Sequence, residues 1–331
     1  MNNKIIIIAE AGGNHNGSLK KAYKLVDIAK KAGADYVKFQ TFKAETLVSK
    51  NAPKAKYQKK NVKKISHYEL IKKLEMSYDM HVKIINYCKQ KKIKFLSSPF
   101  CIDSFDLLRK FNLDFIKIPS GEITNLPLLR HIRKFNNDII LSTGMSNLNE
   151  IKNAVQILKN KNRKIILLHC NTEYPTPIFD INLNAMQALK KKFKLEVGYS
   201  DHSLGTQVPI IAASLGAKVI EKHFTISKKM VGPDHVASLN PKELISMVKA
   251  IRTTEIILGK SEKFVSNSEK KNLLIARKSL FAACDIKKGE KFSLNNLVCL
   301  RPGSGISPIN IDQVCKRKAK KNILKGQLIK I

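Results

Sequence analysis

The stretch Ile5-Ile6-Ile7-Ile8-Ala9-Glu10-Ala11-Gly12-Gly13-Asn14-His15-Asn16-Gly17-Ser18 decides how the rest of the chain is read. Four β-branched residues in a row make a short buried strand, which ends on an acid and a Gly/Asn turn. Ser18 then offers an N-cap to a helix whose apolar positions Leu19, Ala22, Tyr23, Val26 and Ala29 recur at helical spacing. Lys20, Lys24, Asp27 and Lys31 take its other face, and Gly33 stops it. A strand that hands over directly to a helix opens a parallel βα unit. Its turn lacks the GxGxxG spacing with which an open nucleotide-binding sheet cradles a pyrophosphate.

The same unit recurs along the chain. Apolar runs at 36–40, 93–98, 115–120, 139–143, 165–170, 195–200 and 219–224 follow the first, separated by helix-length amphipathic stretches. Eight strand-then-helix units predict an α/β fold, the TIM (β/α)8 barrel. A doubly wound open sheet is the alternative, against which the missing glycine pattern weighs. Residues 42–77, after the second strand, form a lysine-rich connection far longer than the usual ~2–6 residues, a candidate lid. After Gly259 the pattern changes, which divides the chain into a catalytic domain at 1–260, a polar linker at 261–276 and a small all-β module at 277–331.

Composition narrows the class further. A length of 331 residues suggests about two domains at ~150 residues each, one large enough for a substantial core. The opening apolar run is too short for a signal-peptide core or a membrane span, so the expectation is a cytoplasmic protein without a membrane partner. Sixty-one Lys plus Arg against 26 Asp plus Glu leave +35, which raises the question of a polyanion-binding protein. The lysines are spread over every helical stretch, however, without a nucleic-acid motif or an aromatic-interleaved stripe. They read as a solvated surface that favours anionic small substrates, with no nucleic-acid partner. Cys88, Cys101, Cys170, Cys284, Cys299 and Cys315 show no CxxC or zinc-ribbon spacing and read as reduced structural residues.

Catalytic groups of such a barrel lie at the C-terminal ends of its strands. Here every strand ends in polar groups although its body is apolar, so this face is read as an active site. His202 and His223 follow adjacent strands ~5 Å apart, so both imidazoles could share one ion, with Asp201 and Glu221 as further ligands or as acceptors; each could equally bond a loop carbonyl. Lys38 and Lys117, near Ser98 and Ser120, suit a phosphate or carboxylate. A Schiff-base aldolase built on one desolvated lysine is the competing chemistry, and two snorkelling lysines the plain reading. Glu10 ends an apolar strand, where burial would raise its pKa toward acid/base work, or where it simply pairs with Lys38.

These residues sit in segments that resemble, in order, the sialic acid synthases. They are IIIAEAGGNHNGS, DYVKFQTFKAETLV, FLSSPF and KIPSGEITNLPLL at the first four strands, then LSTGM, LLHCNTEYPTP, VGYSDHS, VIEKHFT and GPDH. The C-terminal module, with DIKKGE, CLRPGSGIS and LKGQLI, resembles the antifreeze-like (SAF) domain that accompanies this barrel. The resemblance implies condensation of phosphoenolpyruvate with N-acetylmannosamine and water to N-acetylneuraminate, with phosphate expelled by C–O cleavage. N,N'-diacetyllegionaminate synthesis from 2,4-diacetamido-2,4,6-trideoxymannose is the alternative, because SGEITNLP and GYSDHS occur in both kinds of member.

It further implies a divalent ion, Mn2+ or Mg2+, on His202 and His223, and Glu10 as the acid/base residue. Lys38, Ser98, Lys117, Ser120 and Ser200 would hold the phosphate and carboxylate. Gln40, Glu122, Tyr174 and Asp234 would face the sugar, with Thr172 where some members carry Asn. Arg301 would reach the sugar's acyl amide from the partner chain of a domain-swapped homodimer. Two departures stand out: Gly13 where a branched residue is commoner, and Ser98 where Thr is usual.

Overall fold

The computed structural model describes residues 4–62 and 65–331; Lys63 and Lys64 of the lysine-rich connection lie outside the described residues. The chain divides into two compact units, 1–259 and 260–331.

The first unit contains eight strands: β1 (Ile6–Gly12), β2 (Tyr36–Thr41), β3 (Lys94–Pro99), β4 (Phe115–Ile118), β5 (Asp138–Ser142), β6 (Ile165–Cys170), β7 (Glu196–Asp201) and β8 (Val219–His223). They pair in parallel in the order β3-β2-β1-β8-β7-β6-β5-β4. The end strands β3 and β4 pack against each other and bring the sheet round into a near-closed TIM-type barrel. The first helix runs over Leu19–Ala32 as its spacing predicts. Ser18 accepts from the Lys21 amide, and Gly33 turns left-handed at φ 81° to end it.

Strand periodicity of two separates the barrel's contents. Outward residues such as Ile7, Val37, Phe39, Ile139, Leu141, Val197 and Ile220 join the core under the helices. Inward, Ile8, Tyr36, Leu96, Ile140, Leu168 and Val219 form an apolar plug. Two residues further along the same faces come Glu10, Lys38, Ser98, Ser142, Cys170 and Glu221. A dry floor therefore carries a polar layer at the C-terminal mouth.

The 42–77 connection is not structureless. It contains the helices Ala44–Leu47, Lys56–Asn61 and His67–Leu74, and a core of its own in which Leu47, Val62, Ile65, Ile71 and Phe100 pack on Phe42, Leu70 and Leu74.

In the second unit β9 (Ser279–Ala282) pairs antiparallel with β10 (Leu297–Leu300) over a core that includes Leu280, Ile286, Phe292, Val314 and Ile323. Part of the expected linker is helical: Asn267–Ala276 starts from a capping box between Ser266 and Glu269. The module also holds the short helix Ile311–Cys315, so it is less purely β than expected. Among the described residues no helix is long and apolar enough to cross a membrane.

Candidate active site

Four buried charges meet at the floor of the barrel mouth. Register sets Glu10 beside Lys38 on one side and beside His223 on the other. The Lys38 Nζ lies 3.0 Å from Glu10 Oε2 and 3.7 Å from Glu221 Oε2, and donates to Ser98 Oγ at 2.9 Å. Lys117 Nζ lies 3.6 Å from Glu221 Oε1 and donates to Ser142 Oγ at 2.7 Å. Ser200 Oγ donates to Glu221 Oε1 at 3.0 Å, and Gln40 Nε2 to Glu10 Oε1 at 3.3 Å.

The two acids do not share their charge equally. Burial pushes Glu10 up to about 8, with the like charge of Glu221 adding to the rise and Lys38 offsetting part of it. Burial acts on Glu221 too, but Lys117, Lys38 and the Ser200 hydroxyl together hold it below its ordinary value. Glu221 therefore keeps the negative charge and Glu10 keeps a proton near neutral pH. Lys38 is held up by Glu10 and Glu221 against the pull of burial, whereas burial lowers Lys117. With one carboxylate ionised beside two ammonium groups, the floor attracts an anion.

The side of the mouth formed by β6 to β8 is aromatic. The rings of His202 and His223 lie 5.5 Å apart, and Tyr174 stacks on His202 at 4.1 Å. The Asn171 carbonyl accepts from His202 Nδ1, which leaves Nε2 as the acceptor for the Tyr174 hydroxyl at 2.9 Å. Desolvation lowers His202 to about 4 and His223 well below its ordinary value, so both imidazoles are neutral. His223 Nδ1 is buried without a hydrogen-bond partner. Gly12 permits this crowding: at φ 49° it tolerates the turn, and a Cβ there would meet His223 Cε1 at 3.2 Å and Glu10 Oε1 at 3.3 Å. On the opposite side the Gly144 amide donates to Ser120 Oγ at 3.0 Å, and the Cys170 thiol lies 3.1 Å from the same oxygen.

Loops complete the walls. The β8 loop is fastened to the end of β1: Asn14 Nδ2 donates to the Phe224 carbonyl at 2.8 Å and to Ser238 Oγ at 3.0 Å, and Asn16 Nδ2 donates to the Val231 carbonyl at 2.9 Å. Ser238 Oγ in turn donates to the Asp234 carbonyl at 2.6 Å. Asp234 lines the cavity, and desolvation raises its carboxyl to about 6. From the long connection Asn61 Nδ2 donates to the Pro233 carbonyl at 2.7 Å, and Tyr57 stacks on Tyr174 at 5.2 Å. The cavity, about 240 Å³, falls below the ~300–1,000 Å³ of drug-sized pockets and suits small polar metabolites.

Of the residues expected at the site, Glu10, Lys38, Gln40, Lys117, Ser120, Thr172, Tyr174, Ser200, His202, His223 and Asp234 line this one cavity. Ser98 stands behind Lys38. Glu122 does not line the cavity; its buried carboxylate accepts from Asn125 Nδ2 at 2.6 Å. Arg301 belongs to the second unit, where its Nε donates to the Ala276 carbonyl at 2.9 Å. Asp201 is corrected: it faces away from the imidazoles, pairs with Lys222 and accepts from the Ser203 amide at 2.9 Å. Cys170, read from the sequence as a reduced structural residue, is a free buried thiol and also lines the cavity. Sequence reasoning underweighted Ser142 and Glu221 and missed Tyr57. Period-two spacing from His223 and Ser200 signals that Glu221 points inward and Asp201 outward; nothing local signals Tyr57.

Fold and site together define a barrel whose mouth sets buried lysines beside a protonated acid and two neutral imidazoles. The chain belongs to the NeuB family, whose model matches residues 25–263, with an SAF domain at 277–331, and it is an enzyme, a synthase of the sialic acid type. It is 51% identical to the N,N'-diacetyllegionaminic acid synthase of Campylobacter jejuni over 99% of both chains. The protein of the same name from Legionella pneumophila is 44% identical over 97% of this chain and 92% of its own. The crystal structure of the sialic acid synthetase of Leptospira borgpetersenii, in complex with citrate, superimposes with a TM-score of 0.74 at 34% identity, covering 82% of this chain and 91% of that one.

Proposed function

We propose that this chain condenses phosphoenolpyruvate with 2,4-diacetamido-2,4,6-trideoxymannose and water, giving N,N'-diacetyllegionaminate and phosphate. Two relatives named for that product, matched over nearly the whole chain, support this acceptor over N-acetylmannosamine, which the motifs put first. The observation that carries the reaction is the cluster of Glu10, Glu221, Lys38 and Lys117 at the mouth, where two cations and one proton-bearing acid meet.

Lys38 and Lys117 receive the phosphate and carboxylate, aided by the hydroxyls of Ser98, Ser120, Ser142 and Ser200. Gln40, Thr172, Tyr174 and Asp234 face the open-chain sugar. The enol C3 of phosphoenolpyruvate attacks the aldehyde carbon, and protonated Glu10 gives its proton to the oxygen that becomes a hydroxyl. The resulting carboxylate takes a proton from the water that adds at C2. The tetrahedral carbon then collapses to the ketone as its bond to the bridging oxygen breaks, and its hydroxyl proton passes to the departing phosphate. Lys38 stays protonated beside the ionised Glu221 and is unsuited to a Schiff base; Lys117, lowered by burial, faces the same carboxylate.

The donor set fits a loosely caged divalent ion. Among the described residues no three His, Cys, Asp or Glu side chains converge as a metal cage. His202 and His223 nevertheless offer two neutral imidazoles, one oriented by a carbonyl and one with an orphaned nitrogen, so substrate oxygens and water would complete the shell of Mn2+ or Mg2+. Bound there, the ion would supply Lewis acidity to a carbonyl oxygen of the sugar. We further propose a homodimer in which Arg301 of one chain meets the acyl amide of a sugar held by the other. Phosphate release from phosphoenolpyruvate with the sugar should stop on chelation, return with Mn2+ or Mg2+, and be impaired in His202→Ala. Full turnover by metal-free protein would remove the ion from the account.

A further inference from the structure

One stretch of the cavity wall presents no polar side-chain atom. Phe42 and Leu74, only 5% and 6% exposed, belong to the core of the long connection. Leu47, Ile71 and Phe100 pack onto that core half-buried, and all five line the cavity. Gly13 leaves room for this wall: a Cβ there would meet Leu74 Cδ1 at 3.0 Å, so a branched side chain would force the Leu74 methyls to give way. The departure noted in the sequence thus makes room for an apolar surface beside a polar floor. Apolar faces left open at such a place lose contacts and hydration entropy unless a ligand covers them.

We infer that this wall receives the C6 methyl group of the acceptor and selects against a hydroxyl there. The inference rests on the acceptor proposed above. In the open-chain 2,4-diacetamido-2,4,6-trideoxy sugar, C1 carries a carbonyl, C2 and C4 amides, and C3 and C5 hydroxyls; C6 alone carries no polar atom. The substituent without a polar atom matches the wall without one. A hydroxymethyl group set against these five side chains would lay a hydroxyl on a surface that offers it no hydrogen bond, which costs more than a methyl contact gains. Leu47, Ile71 and Phe100 are therefore specificity-determining residues, set apart from the groups that move protons or hold phosphate.

The test compares kcat/KM for two acceptors that differ by one oxygen, 2,4-diacetamido-2,4,6-trideoxymannose and 2,4-diacetamido-2,4-dideoxymannose, in the wild type and in Leu47→Asn and Ile71→Thr. The wild type should favour the methyl sugar by ~10- to 100-fold. Each variant should cut that ratio at least about fivefold while its KM for phosphoenolpyruvate moves by less than about twofold. A wild-type ratio near one overturns the inference whatever the variants do. So do folded variants, judged by circular dichroism, that keep the wild-type ratio or lose both sugars equally, because the wall would then only support the loop. If the wild type refuses both diacetamido sugars yet turns over N-acetylmannosamine, the acceptor assignment itself fails and takes this inference with it.

Discussion

Glu10 shows how one buried group links stability to chemistry. The folded chain holds its proton up to about pH 8, against 4.5 for the ordinary carboxyl. Below pH 4.5 both folded and unfolded chains bind that proton; between the two values only the folded chain does, so this group's contribution falls as pH rises and is lost through about 8. Glu10→Gln fixes the neutral form. Its kcat should drop ~10²- to 10⁴-fold, while its Tm relative to wild type climbs by a few °C between about pH 5.5 and pH 8. In the wild type kcat/KM should fall above about pH 8 as the acid form is lost. A Tm difference independent of pH would mean that Glu10 is ionised in the fold. The position was legible because an acid ending an apolar strand is conspicuous. Its proton was not, because that depends on Glu221 and Lys117 arriving from strands far off in sequence.

Among elements, the Asn14 turn and the 42–77 connection shape the site without carrying its chemistry. Asn14 was read as a strand-end polar group, yet the structure gives it a mechanical task, binding the β8 loop that presents Asp234. Asn14→Ala leaves the Phe224 carbonyl and the Ser238 hydroxyl short of a donor, at about 1–3 kcal/mol. Amide exchange over 231–238 should quicken, and the acceptor KM should rise several-fold while that for phosphoenolpyruvate stays nearly constant. Equal rises in both would make the turn a general scaffold. The strands were readable from apolar runs, and the connection's length made it a candidate lid. Its three short helices and apolar core were not readable, because Leu47, the Ile71/Leu74 pair and Phe100 are distant from one another in sequence and meet only once β2 and β3 are side by side.

At the scale of the whole molecule, the ordered motifs pointed to family and fold, but the same motifs serve several acceptors, so the sugar had to come from relatives and from the cavity wall. The proposed sharing of sites between chains is open to subunit mixing. Glu10→Gln and Arg301→Ala chains, each nearly inactive alone, should regain roughly a quarter of wild-type activity on reassortment, since half the dimers would then hold one intact site. No recovery after verified mixing would confine Arg301 to its own chain. The central claim is that the cluster around Glu10 joins phosphoenolpyruvate to the diacetamido sugar and breaks the C–O bond. It is tested most directly with phosphoenolpyruvate carrying ¹⁸O in the bridging position, incubated with 2,4-diacetamido-2,4,6-trideoxymannose, following phosphate by ³¹P NMR and the sugar acid by mass. The account predicts one labelled phosphate for each nine-carbon acid formed, with no label in the acid; label retained in the acid, or pyruvate serving in place of phosphoenolpyruvate, would contradict it.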